Sequence, residues 1–382
     1  VKGNTMTPYD SLIYFFFLLI ALIPAAVLGL CGKRIRYYGF AVTLLFLLVI
    51  IASPIKLLFL ALFTFWQLML VKLFSLTHKK CRKRPILWLF VLLALLPMLL
   101  SKFRVTIGGS VFGILGLSYL TFKCVQVLVD IYDGLIERVR VLDYLYFILF
   151  FPTLSSGPID RSRRFVKELS QQRSGEEYCQ LLQKGIWKIF YGALYNFVFS
   201  KLIYIYWLTP LSNSFLGNLS YMFGYTLFLF FNFAGYSAMA IGTSYILGVQ
   251  LPENFNMPFG ALDLKDFWSR WHISLSTWLR DYVYSRFVMA ALRGKWFSNP
   301  HTASYIGYGI TMMTMGLWHG LEWHFVVYGA YHGLLMCLND FLDNRVQGFK
   351  KAKRNPKYQP VFCAVTMLLI SFGMFIFSGR LF

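Results

Sequence analysis

Leu12-Ile13-Tyr14-Phe15-Phe16-Phe17-Leu18-Leu19-Ile20-Ala21-Leu22-Ile23-Pro24-Ala25-Ala26-Val27-Leu28-Gly29-Leu30 carries no charged side chain. A helix needs about 20 apolar residues to cross the hydrocarbon, so this run is long enough to stay as a span and no cleavable leader is needed to explain it. Similar runs follow at Phe40 to Ala52, Leu57 to Leu76, Ile86 to Leu100, Val111 to Val129, Tyr144 to Leu154 and Ile186 to Leu208. Four more lie at Leu219 to Leu247, Tyr305 to Trp318, Phe325 to Leu338 and Val361 to Phe377. Apolar residues make up 58% of the 382 and charged residues 14%, against about 25% charged in soluble domains. The expected fold is an all-α polytopic membrane protein with about 11 or more transmembrane or re-entrant helices around a central funnel. Tyr144 to Leu154 and Tyr305 to Trp318 are too short for an ordinary crossing. Such pieces survive at membrane depth when buried in protein or lining a wet cavity.

The formal charge is +21, and its placement gives an orientation. Lys33-Arg34-Arg36 and Lys79-Lys80-Arg82-Lys83-Arg84 are separated by two spans, so both face one side, which the positive-inside rule makes cytoplasmic. Arg161-Arg163-Arg164-Lys167 and Lys350-Lys351-Lys353-Arg354-Lys357 join them if Tyr144 to Leu154 dips in and returns. Because these clusters abut apolar runs, membrane topology explains the basic bias and no nucleic-acid partner is expected. Cys31, Cys81, Cys124, Cys179, Cys337 and Cys363 form no CxxC pair, so neither a disulfide framework nor a sulfur metal site is predicted. The polar stretch Gly157 to Lys184 reads as a cytoplasmic segment with a surface helix ahead of the next span.

Two histidines stand beside tryptophans. One lies in Lys265-Asp266-Phe267-Trp268-Ser269-Arg270-Trp271-His272-Ile273-Ser274-Leu275-Ser276-Thr277-Trp278-Leu279-Arg280-Asp281-Tyr282, the other in Met315-Gly316-Leu317-Trp318-His319-Gly320. Ionisable side chains at membrane depth are functional candidates, because they are costly there without a partner or a cavity. Read as one helix, Trp268 to Tyr282 places Trp268, Trp271, Leu275, Trp278 and Leu279 on one stripe, with Arg270, Ser274, Thr277 and Asp281 nearer the opposite flank. His272 falls beside the stripe, as a packed histidine bonded to a carbonyl or as a functional one. His319 ends an apolar run between Gly316 and Gly320, which allow close approach of backbone or ligand, and its functional reading is favoured. His78 and His301 read as loop residues. His319, His324 and His332 lack the i, i+4 spacing that stacks two imidazoles, so no metal site is predicted.

An imidazole in such a setting suits general-base transfer of an acyl group to an alcohol, its pKa lying near operating pH. GxSxG and phosphate-cradling motifs are missing, which disfavours a covalent acyl-enzyme and an ATP-driven pump.

Phe231-Asn232-Phe233-Ala234-Gly235-Tyr236-Ser237, Leu251-Pro252-Glu253-Asn254-Phe255-Asn256, the Trp268 to Tyr282 segment and Gly316-Leu317-Trp318-His319-Gly320 together resemble the membrane-bound O-acyltransferases over about the last two thirds of the chain. The resemblance is stronger to the teichoic-acid D-alanylation branch than to the alginate O-acetylation branch. Polysaccharide acetylases typically continue the helix with Pro-Leu-Gly-Gly, where this chain has Ser285-Arg286-Phe287-Val288-Met289-Ala290-Ala291. The second reason is the stretch Gly320 to His324 and Tyr328 to Gly333. The resemblance implies one membrane-embedded acyltransferase domain over 1–382, with N-terminal spans in 1–143, the family core in 144–340 and a last span in 341–382. It implies His319 as the active-site histidine and His272 as its partner. D-alanine would arrive as a thioester on the phosphopantetheine arm of a D-alanyl carrier protein and leave toward lipoteichoic acid or a membrane intermediate acceptor; no tightly bound cofactor is expected.

Acyl carriers are commonly acidic, and Arg286, Val288, Met289, Leu292 and Arg293 form an apolar patch ringed by cations that suits one. The same segment also reads as an amphipathic helix resting on membrane lipid. A polysaccharide O-acetyltransferase of the same family and a membrane transporter are the rival functions. Within the runs, acidic residues are confined to Asp130 and Glu322 near their ends, which disfavours a proton-coupled carrier.

Overall fold

The computed structural model describes residues 8–51, 53–80, 83–103, 106–107, 110–111 and 113–382. Ala52, Cys81, Arg82 and Phe112 of the runs and clusters above lie outside the described residues. The chain is helical almost throughout: α1 (Leu12–Leu30), α2 (Arg36–Ile50), α3 (Pro54–Lys80), α4 (Arg84–Lys102), α5 (Leu117–Tyr132), α6 (Val141–Leu149), α7 (Ser162–Ser170) and α8 (Gly175–Leu208). There follow α9 (Phe215–Ile246), α10 (Leu264–Arg270), α11 (Ile273–Leu279), α12 (Ser285–Arg293), α13 (Pro300–His319), α14 (Trp323–Arg345), α15 (Gln347–Arg354) and α16 (Gln359–Phe377). A two-residue β-pair, Thr106–Ile107 with Ser110–Val111, is the sole sheet among the described residues. Among the described residues seven helices are long and apolar enough to cross a membrane: α1, α3, α4, α8, α9, α14 and α16. Helices suit lipid because they satisfy every backbone group within the segment.

Several boundaries differ from the apolar runs for local reasons. Tyr305 to Trp318 lies within a 20-residue helix, because Asn299 caps its start by accepting the His301 amide at 3.0 Å and Pro300 occupies the first turn; its polar first turns hid its length. His301 is therefore helical, as is His78 near the end of α3, where its ring meets Phe74 and Tyr132. Phe325 to Leu338 extends to Arg345 and so takes in the buried Asn339 and Asp340.

The chain divides into two compact units, residues 1–193 with 236–252, and residues 194–235 with 253–382. In the first, Gly185 on α8 and Gly242 on α9 sit at a close crossing, where a Cβ on Gly185 would stand 2.9 Å from the Gly242 carbonyl oxygen. Small residues permit such approach, the main source of helix association where lipid is as apolar as the side chains. Tyr178 donates to the Ile246 carbonyl at 2.6 Å and covers Gly29 of α1. From Asp143 onward the short α6 and the turn after it are largely buried, as irregular backbone at depth must be: Tyr144, Tyr146, Phe147, Phe150 and Phe151 are all inside. Its exposed carbonyls find a donor in Lys123 of α5, 1% exposed, whose Nζ reaches Phe147 O, Ile148 O and Thr153 Oγ1 at 3.2, 3.3 and 2.8 Å. All three ammonium protons are thus used.

In the second unit α13 and α14 form an antiparallel pair at a Gly316–Gly329 contact, where a Cβ on Gly329 would lie 2.8 Å from the Met312 carbonyl oxygen. Arg380 ties the chain beyond α16 to the start of α9, donating to Asn218 Oδ1 at 2.9 Å and to the Ser212 carbonyl at 2.8 Å.

Candidate active site

The Trp268 to Tyr282 segment is broken, not one helix. His272 sits between α10 and α11 with φ 44° and ψ 52°, a left-handed conformation that costs a non-glycine residue about 1–2 kcal/mol and persists where the surroundings impose it. The surroundings here are the Leu251 to Asn256 motif. Asn256 N donates to Arg270 O at 2.9 Å and Ile273 N to Asn254 O at 2.9 Å, bracketing a β-bridge between Phe255 and Trp271. The Asn254 carboxamide oxygen accepts from Ser274 Oγ at 2.6 Å and from Ser274 N at 3.3 Å. Ser274 is therefore buried rather than on the polar flank. The aromatic stripe holds despite the break: Trp268, Trp271, Leu275, Trp278 and Leu279 are all buried.

Ionic contacts hold α10 against α14. Asp263 caps α10 by accepting the Asp266 amide at 2.8 Å, while Leu264 N donates to Asn339 Oδ1 at 3.0 Å. Lys265 pairs with Asp340, and Lys353 of α15 joins Asp263 and Asp343 at 2.5 and 2.6 Å. Desolvation works against the Lys353 charge, but its hydrogen bonds to Asp263 and Asp343 outweigh it and raise its pKa.

His319 is the last residue of α13 and half-buried. Its ring packs edge-on against Phe377 at 4.7 Å and Trp318 at 4.4 Å, with Phe325 stacked at 5.9 Å. The flanking glycines serve close approach of backbone and ring: a Cβ on Gly316 would stand 3.1 Å from Gly329 Cα, and one on Gly320 would overlap the Phe325 ring.

The two histidines meet through Trp318, whose ring lies 6.2 Å from His272 and 4.4 Å from His319. His272 is 4% exposed, with Phe233 edge-on at 4.6 Å. Its Nε2 is buried and has no hydrogen-bond partner among the described residues. Buried polar atoms are nearly always paired, and the exceptions concentrate at sites that handle a ligand or water. Burial, and secondarily His319, holds the His272 imidazole down to about 3. It is neutral at working pH, able to donate from one ring nitrogen and accept at the other. A cavity of about 380 Å³ in the same unit is lined by Lys265, Trp268, Arg280, Tyr308 and Met315, one turn before His319.

Of the residues expected at a docking surface, Met289, Leu292 and Arg293 are exposed on α12. Val288 instead faces α13, its Cγ2 lying 2.9 Å from where a Gly307 Cβ would be. Arg286 is half-buried. Sequence reasoning quoted Asn254 within a motif without seeing its bridging role, and left Asp263, Asp343 and Lys353 unconnected; they lie up to 90 residues apart and carry no spacing signal. Lys123, a lone lysine in an apolar run, is the sequence signal for the buried contacts it makes.

The class of the chain, a membrane acyltransferase, follows from its family. The model of the membrane-bound O-acyltransferase family matches residues 35–379, and the chain belongs to that family. It is 42% identical to the teichoic acid D-alanyltransferase of Bacillus subtilis (strain 168), covering 98% of each chain. It is 33% identical to the protein of that name in Streptococcus thermophilus, over 98% of this chain and 96% of that one. The probable alginate O-acetylase AlgI of Azotobacter vinelandii is 32% identical over 70% of this chain and 51% of its own length. The likeness thus extends well beyond the last two thirds and is fuller toward the D-alanyltransferases.

Proposed function

We propose that this membrane acyltransferase moves D-alanine from the phosphopantetheine thioester of a carrier protein toward lipoteichoic acid or a membrane intermediate, in the cell membrane of a Gram-positive bacterium. Near-full-length likeness to teichoic acid D-alanyltransferases supports the D-alanyl group and the acceptor class. The observation that carries the chemistry is the pair of histidines flanking Trp318, one of them a buried neutral imidazole whose Nε2 has no hydrogen-bond partner among the described residues.

In this reading the acceptor hydroxyl gives its proton to His319 as its oxygen attacks the thioester carbonyl. A His272 N–H stabilises the charge that develops on the carbonyl oxygen. The C–S bond then breaks, the thiolate takes the proton from His319, and the products are the D-alanyl ester and the free thiol. Neither histidine is acylated. The 380 Å³ cavity beside Met315 offers room for a slender arm to approach, and Met289, Leu292, Arg286 and Arg293 of α12 receive the acidic carrier.

Transfer of labelled D-alanine from loaded carrier by the reconstituted protein tests this. The reading expects loss of label from the D-alanyl carrier and little from an acetyl thioester. The likeness to alginate O-acetylases supports a second reading, in which the preference is reversed.

A further inference from the structure

The first unit holds a cleft that the acyl-transfer reading does not use. It has a volume of about 440 Å³, with Arg138, Arg140 and Arg163 at its polar wall and Val127, Phe147 and Val166 among its apolar lining. Arg138 and Arg140 are exposed, and among the described residues neither guanidinium group has a hydrogen-bond or ion-pair partner. Arg163 makes one long contact, 3.7 Å to Asp130, and its side chain is 53% exposed.

The wall that carries these guanidinium groups is held in place. Leu135 N and Ile136 N donate to the Asp130 carbonyl at 2.9 and 3.2 Å, and Lys72 of α3 donates to the Val139 carbonyl at 2.6 Å. Two carboxylates also face the cleft, Glu137 and Asp143. Asp143 is paired with Arg36, so with Lys72 nearby the surroundings stay net positive. Leu135 of the lining is 47% exposed, and Val141 and Leu142, between the lining residues Arg140 and Asp143 in the chain, are 42 and 38% exposed, which suits contact with acyl chains better than with water. Arg36 belongs to the cluster read as cytoplasmic, placing the cleft at that membrane face.

We propose that this cleft binds an anionic glycerophospholipid, its phosphate held by Arg138, Arg140 and Arg163 and its upper acyl chain lying on the apolar wall. Guanidinium groups match phosphate bidentately, and basic pockets among transmembrane helices at the cytoplasmic face are suited to anionic headgroups. A free anion would need the cations alone. The apolar lining and the aliphatic rim are what select a lipid.

Thermal unfolding of the full chain in neutral detergent, titrated with dioctanoyl phosphatidylglycerol, dioctanoyl phosphatidylcholine or inorganic phosphate, tests this. The anionic lipid is expected to raise the transition saturably, with the other two without effect. Arg138→Gln/Arg140→Gln is expected to unfold at the wild-type temperature without lipid and to bind the anionic lipid roughly tenfold or more weakly. Native mass spectrometry of the wild type, showing phosphatidylglycerol retained over phosphatidylcholine, reads the preference without any variant. Equal response to both lipids, or an unchanged response in the double variant, overturns the proposal. An equal response to inorganic phosphate makes this a free-anion site instead. If the double variant loses capture of an acidic carrier protein while its lipid response is unchanged, the cleft is a protein interface and the lipid assignment falls.

Discussion

At the scale of single residues the account rests on His272 and the groups that hold it. Its burial has a consequence for stability. In the unfolded chain a histidine takes up a proton below about pH 6.5, whereas in the folded protein His272 stays neutral down to about 3. The unfolded state then binds more protons, so stability falls as pH drops through that window, by up to about 1.4 kcal/mol per pH unit from this group. His272→Gln should flatten that slope in thermal unfolding between pH 6.5 and 4; an unchanged slope would mean His272 is not buried neutral. Asn254 offers a second test, since its side chain takes both Ser274 donors. Asn254→Ala should cost about 1–3 kcal/mol, because it leaves buried donors unpaired, and should lower kcat more than it raises KM, since the residue positions His272 without touching substrate. A fall in stability with kcat intact would confine Asn254 to a structural role.

At the scale of elements, what the sequence disclosed and what it hid divide along physical lines. The apolar run Leu12 to Leu30 was legible to the residue, because hydropathy alone selects it. The Trp268 to Tyr282 stripe predicted the buried face correctly but not the break, because helical periodicity survives a one-residue kink and the partner that imposes it, Asn254 to Asn256, comes from elsewhere in the chain. The histidine pair was legible as two Trp-His neighbours; that they share the single indole of Trp318 was not, since only the α13 packing brings it to His272. The docking helix needs a different variant from the one its pattern suggests. Val288 packs inward against Gly307, so an aspartate there would disturb the fold, whereas Met289 is 49% exposed. Met289→Asp should weaken carrier capture several-fold and leave the unfolding temperature within about 1 °C, the usual small effect of a surface change. Unaltered capture would remove α12 from the carrier interface. The α13–α14 contact predicts the opposite behaviour for Gly329→Leu: a side chain forced against Met312 should lower the yield of folded protein and activity together.

For the whole molecule, family membership and the near-full-length likeness to D-alanyltransferases favour an enzyme over the transporter that broken spans alone would also fit. Buried charge within the membrane domain is accounted for by structure: Lys123 closes the end of α6, and Asp340 pairs with Lys265 beside the site. Neither is an unpaired group of the kind a proton path would use. Close to the site, the buried atoms without a hydrogen-bond partner among the described residues include His272 Nε2 and the indole nitrogens of Trp268 and Trp318. The central claim is that the histidines on either side of Trp318 perform the transfer, and it is tested most directly by the single-turnover rate of D-alanyl loss from loaded carrier with acceptor present, for wild type, His319→Ala and His272→Gln. The account predicts a loss of about 10²–10⁴-fold for His319→Ala, the range of a missing general base, and a smaller loss for His272→Gln, with carrier affinity unchanged in both. Wild-type turnover by His319→Ala, with the variant folded, would contradict it.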